Sequence, residues 1–274
     1  MPRVLALLLL FACIDEGIAQ PVRAADASTA AQVDAAMVLP EALRKALEAR
    51  KPKPGLTAEE RVQRLVDFMV ADDGLALRYQ EQPTLGIAES HAQRKVNCLS
   101  FTLMFIALAR ASGMQAHAQA SDDALAMRVL DDTVYRATHV NAGVEIRGME
   151  YTVDVGWRSL LAVRKPRTIS DAQAVALLHN NNAVERLLQK DFAQAASEIG
   201  IALALDPANP VVWSNAGVVH WRSGRNEAAE HAYLQALALH LYHRCGVGRE
   251  VHSLPTRRDS GLAVGRLLRM DRAQ

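Results

Sequence analysis

The segment "LSFTLMFIALARAS" (99–112) is apolar almost all the way round, with Leu99, Leu103, Ile106 and Arg110 on one helical face and Phe101, Phe105 and Leu108 on another. A helix without a polar side is stable in water only when other elements cover it, so the chain must build a core around this one. Gly113 supplies its C-terminal stop. Half of the 274 residues are apolar and 22% are charged, enough to bury one substantial core or two modest ones. Directly ahead of the apolar run stands Cys98. That position admits two readings, a small buried hydrophobe or a nucleophile held at the start of a helix.

The flanking sequence supplies the cover. "LPEALRKALEAR" (39–50) has helical spacing and "KPKPG" (51–55) stops it. Thr57 and Glu60 form a capping box, and Val62, Leu65, Val66 and Met69 then recur at helical spacing, which predicts a helix over 58–72. Residues 74–95 read as loop with a little helix. Beyond Gly113, "MQAHAQAS" (114–121), "THVNAGVEI" (138–146) and "MEYTVDVGW" (149–157) alternate or carry β-branched and aromatic residues, with "RG" (147–148) as a turn. The expected unit is α+β, a core helix on a small antiparallel sheet, spanning 57–166 after an N-terminal helix and linker at 26–56.

The second half repeats itself. "KDFAQAASEIGIALALDPANP" and "GRNEAAEHAYLQALALH" superpose at a shift of 34, pairing Lys190 with Gly224, Ala195 with Ala229, Ile199 with Tyr233, Ala202 with Ala236 and Leu205 with Leu239. A 34-residue helix-turn-helix period resembles the tetratricopeptide repeat, with small residues where paired helices approach closely. The resemblance covers 177–240 and implies an all-α repeat domain with helices near 180–190, 193–205, 211–222 and 226–239, and a protein partner for the repeats. Trp213 and Trp221 are expected as core residues.

Both ends read differently. The start, "MPRVLALLLLFACIDEGIAQ", has Arg3 followed by an apolar run from Val4 to Ala12 and small residues near Ala19, Ala24 and Ala25, the pattern of a signal peptide over 1–25. "LFAC" (10–13) is an imperfect lipobox, so membrane attachment is expected only through a lipid on Cys13. In the tail, 241–274, the repeat pattern breaks, and "VHSLPTRRDSG" (251–261) resembles translated sequencing adapter. Two readings stand there, a frameshift or adapter artefact and a native basic tail, and neither carries a function. A net charge of +1 excludes the concentrated basic face that a nucleic-acid partner needs. Only three cysteines are present, Cys13, Cys98 and Cys245, which leaves no disulfide framework and makes Cys98 a free thiol.

A nucleophilic cysteine needs a lowered pKa and a base within reach. The N-terminus of helix 99–112 offers Cys98 the positive end of the helix dipole and backbone N–H groups for an oxyanion. His139 lies on the first strand of the hairpin and Asp154 on the second. With a two-residue turn at Arg147-Gly148, Asp154 faces Asn141, and His139 becomes its diagonal neighbour on the same face, roughly 7–8 Å away at Cβ. A three-residue loop would separate them onto opposite faces. His91, His117, His139 and His179 lack zinc-ligand spacing, so no metal or other cofactor is expected.

"NCLSFTLMFIALARASGM", "THVNAGVEI" and "YTVDVGW" together resemble the core of the bacterial transglutaminase-like family, which belongs to the papain-like cysteine enzymes. The order Cys, His, Asp and the helix–strand–strand context match over roughly 60 to 165. Val96 stands where such sequences often have glycine, and His139 is followed by "VNAG" where an aromatic is usual. The resemblance implies Cys98 as nucleophile, His139 as general base and acid, and Asp154 as the group orienting His139. It implies acyl transfer on amide bonds of a peptide or protein substrate, as a peptidase, amidase or transamidase exported to the bacterial periplasm. The other reading is a non-catalytic tetratricopeptide scaffold carrying a vestigial transglutaminase-like domain.

Overall fold

The computed structural model describes residues 27–50, 55–130, 133–154 and 166–245. The segment expected as a signal peptide, with Cys13, "KPKP" (51–54), the end of the third expected strand with Trp157, and the tail from 246 onward lie outside the described residues. In chain order the elements are α1 (Ala27–Met37), α2 (Glu41–Ala49), α3 (Ala58–Val70), β1 (Arg78–Tyr79), α4 (Ile87–Gln93), β2 (Lys95–Val96), α5 (Cys98–Ala111), β3 (Ala116–Leu130), β4 (Thr133–Ile146), β5 (Met149–Val153), β6 (Arg167–Ile169), α6 (Asp171–Leu188), α7 (Phe192–Leu205), α8 (Pro210–Arg222) and α9 (Asn226–Cys245). This is a mixed α+β architecture, helices packed on a small antiparallel sheet and followed by helical hairpins. Among the described residues no helix is long and apolar enough to cross a membrane.

The all-apolar helix is α5, and every residue from Leu99 to Ala109 in it is buried. Leu43, Leu65, Phe68 and Met69 from α2 and α3 cover one side, while Val140, Ala142, Val144 and Ile146 of β4 and Ala116, Ala118 and Ala120 of β3 cover another. Each large apolar side chain so enclosed contributes about 1.5–3 kcal/mol relative to exposure. The capping box at α3 is formed, with Thr57 Oγ1 accepting from the Glu60 N–H and Glu60 accepting from the Thr57 N–H.

The main sheet has strand order β5-β4-β3-β6, with neighbouring strands antiparallel. Its β4–β5 hairpin pairs Ile146 with Met149 and Ala142 with Val153. That register requires the two-residue turn, and Arg147 and Gly148 both adopt positive φ, 52° and 76°, as a turn matched to strand twist demands. β3 and β4 are longer than their alternation predicts, and β6 extends the sheet past Pro166. Between β3 and β4 the register breaks, so that residues 122–125 lie opposite Thr138 alone.

Helices α6 to α9 keep the sequence period in three dimensions. Leu188 and Arg222, 34 positions apart, end α6 and α8, and Phe192 and Asn226 begin α7 and α9. Lys190 and Gly224 are both left-handed, φ 62° and 74°. Around them the same pair of backbone bonds recurs: Lys190 to Leu187 and Asp191 to Arg186, then Gly224 to Trp221 and Arg225 to His220. Gly217 of α8 lies under the Tyr233 ring of α9, where a Cβ would come within 2.5 Å of a ring carbon. Trp213 and Trp221 are partly buried against this second core. α6 starts at Asp171, well before the expected 180, and α9 runs on through 241–245, which the sequence assigns to the irregular tail.

Candidate active site

Cys98 is the first residue of α5, and Asn97 is its N-cap. The Asn97 Oδ1 accepts from the Ser100 N–H at 2.9 Å, which satisfies one of the donors orphaned at a helix start. The Asn97 amide group in turn donates to Thr84 Oγ1 at 2.8 Å and reaches the Glu81 carbonyl at 3.4 Å. Ser100 Oγ bridges back to Leu85, donating to its carbonyl and accepting from its N–H. The chain enters the site along β2, where Val96 pairs with Tyr79 and is buried. Val96 therefore packs inward; the left-handed residue here is Arg94, which caps α4.

His139 and Asp154 meet as the hairpin register predicts, with Nε2 of the ring 2.6 Å from Asp154 Oδ2. Cys98 lies close enough to the ring to help hold it protonated. Since Nε2 is engaged on the carboxylate, Nδ1 is the ring nitrogen that can exchange a proton with the thiol. The register break on β3 falls beside His139, paired with Ser121. Such irregularities bend a strand and re-aim its side chains. One turn into α5, Thr102 Oγ1 donates to the Cys98 carbonyl and reaches the Val140 carbonyl at 3.3 Å, fixing helix and strand at the height of the three residues.

The His139 imidazole is pushed up to about 10. Its hydrogen bond to Asp154 is the largest cause and the neighbouring Cys98 side chain the next, against burial, which opposes the cation. At neutral pH the ring is therefore an imidazolium beside the Asp154 carboxylate. Cys98 is partly buried, and the His139 and Asp154 side chains retain 24% and 28% exposure, so reagents reach the site from solvent.

The rest of the His139 face is polar. Gly143 has no Cβ where one would meet the ends of His117 and Gln119. Those two side chains therefore lie across β4 to Glu150 Oε1, His117 Nε2 at 2.7 Å and Gln119 Nε2 at 2.5 Å. Thr152 Oγ1 donates to Gln119 Oε1. Asn141 is buried on the same face. The wall that "VNAG" builds is thus a polar one.

All three predicted site residues, Cys98, His139 and Asp154, come together. Sequence reasoning passed over Asn97, although an Asn directly ahead of an apolar run is an N-cap signal. It also passed over Thr84, for which no local signal exists. Among the described residues no group of three or more His, Cys, Asp or Glu could hold a metal ion. Comparison with protein-family models, with curated proteins and with solved structures finds no match to this chain.

Proposed function

We propose that this chain is an exported cysteine enzyme of the transglutaminase-like type, acting on amide bonds by acyl transfer, with tetratricopeptide-type repeats for protein contacts. The observation that carries the reading is His139, hydrogen-bonded to Asp154 and close enough to interact with Cys98 at the first position of a buried helix. The reactive form is a Cys98 thiolate beside the His139 imidazolium, the form that attacks carbonyls. The sulfur adds to the amide carbon, and the Cys98 N–H, which has no acceptor within its own helix, is the donor available to the oxyanion. His139 gives its proton to the departing amine as the C–N bond breaks, leaving a thioester. Water or a second amine then attacks the thioester, His139 takes the nucleophile's proton, and the C–S bond breaks, releasing the acyl product and restoring the thiolate beside the imidazolium. Peptides and peptidoglycan-related amides are the substrate class that suits an enzyme of the bacterial envelope.

Iodoacetamide alkylation of the folded chain tests this without a substrate. At pH 6.5 the wild type should react at least about tenfold faster than His139→Ala, because only a paired thiol is ionised there. Equal rates would mean that Cys98 is an ordinary thiol and that the domain is a vestige serving a repeat scaffold.

A further inference from the structure

The helical repeats reach the nucleophile through a continuous chain of hydrogen bonds. Glu185, near the end of α6, accepts from the Thr84 N–H at 2.7 Å. One turn earlier, the Asn181 amide group donates to Thr84 Oγ1 at 3.3 Å. That same Oγ1 accepts from Asn97 at 2.8 Å, and Asn97 caps the helix that begins at Cys98. Thr84 and Asn97 are each 5% exposed, so water does not substitute readily for these partners. At its other end α6 is clamped to the far end of α5, where both terminal nitrogens of Arg110 bond the Asp171 carboxylate. α6 thus contacts the nucleophile's helix at both of its ends, through Asp171 and through the Thr84 loop.

We propose that Glu185 and Asn181 are positioning residues of the active site: by holding Thr84 they fix the Asn97 cap and hence the placement of Cys98 against His139. This rests on the cysteine-enzyme reading above and adds that the first repeat helix is part of the site. Burial pushes the Glu185 carboxyl above its ordinary value, and the Thr84 N–H is the chief counterweight, ahead of Arg186. A glutamine at 185 would keep an acceptor for that N–H and shed the buried charge, whereas an alanine would leave the N–H orphaned. At Thr84, valine removes the shared oxygen at almost constant volume, and serine restores it.

The test measures alkylation of Cys98 by iodoacetamide from pH 5.5 to 9.5 in the full chain, with a thermal melt of each variant. Glu185→Ala and Thr84→Val should each lower the rate at pH 6.5 about tenfold, the scale of one lost buried hydrogen bond. The rate at pH 9.5, where free thiolate forms without help from His139, should fall by less than about twofold. Glu185→Gln and Thr84→Ser should recover most of the wild-type rate at pH 6.5. A purely structural role would shift the melt and leave the ratio of the two rates unchanged, and that result, with wild-type reactivity dependent on His139, would overturn this proposal alone. Wild-type reactivity indifferent to His139→Ala would overturn the enzyme reading and this proposal with it. If Glu185→Ala does not fold, the Thr84 pair decides.

Discussion

Helices α6 and α8 occupy the same place in the 34-residue repeat but do different work. α8 commits Val212, Ala216 and Val219 to the core shared with α7 and α9. α6 divides its length: Ala174, Leu177 and Leu178 enter the core around α5, while Ala183 and Leu187 enter the repeat core. Its outward polar groups differ too, since Asp171, Asn181 and Glu185 all bond the first unit. A repeat position prescribes a helix and its small-residue contacts, but its outer neighbours decide what else it does. For α8 those neighbours are α6 and the sheet strand β4, and for α6 they are α5 and the strands β3 and β4. The packing of α6 on α5 supplies cover that two helical hairpins by themselves lack.

The harshest way to break the comparison is to remove that neighbour. Residues 167–240 expressed alone expose Ala174, Leu177 and Leu178, and should show no cooperative melt as a monomer. A sharp transition from that fragment would show that α6 needs nothing from α5.

A gentler version sets equivalent positions against each other. Leu178→Ala should cost about 2–4 kcal/mol and also slow Cys98 alkylation, because it loosens the contact between α6 and the first core. Val212→Ala, one repeat later, should cost about 1–2 kcal/mol and leave alkylation unchanged. Denaturant melts together with alkylation rates read both effects, and equal effects on reactivity would erase the distinction between the helices.

The smallest expected effect lies wholly at the His139–Asp154 pair. Asp154→Asn removes one charge-assisted hydrogen bond and should cost about 1–2 kcal/mol at pH 7, while lowering Cys98 reactivity through a misplaced imidazole. The pH dependence has a definite sign. A histidine raised to about 10 when folded, from an ordinary 6.5, contributes stability that is full below 6.5 and is lost as pH rises through 10. The stability gap between wild type and Asp154→Asn should therefore close between pH 6.5 and 10. A gap that stays constant across that window would mean that His139 is not cationic in the folded protein.

Much of this was legible in the sequence, for identifiable reasons. The apolar run 99–112 can only be a covered helix, the 34-residue shift can only place equivalent turns at Lys190 and Gly224, and Arg147-Gly148 suits a two-residue turn that puts His139 and Asp154 on one face. Each rests on a period or a turn preference, and these act between residues near in sequence or related by a fixed spacing. The length of β3 and β4 and the strand β6 were not legible, because strand propensity is decided by the neighbours a strand packs against.

What the tertiary structure alone decided is how the site is held. Thr84 and Glu185 are 101 residues apart, and no pattern links a threonine in an irregular loop to a glutamate on a repeat helix. Their bond exists because α6 lies along α5. That arrangement follows from burying Leu177 and Leu178 together with the Arg110–Asp171 pair. Local chemistry placed Cys98 at a helix start and His139 beside Asp154. Bringing the thiol and the imidazole together required the core itself, since hydrophobic burial carries no direction along the chain and its outcome depends on which surfaces fit.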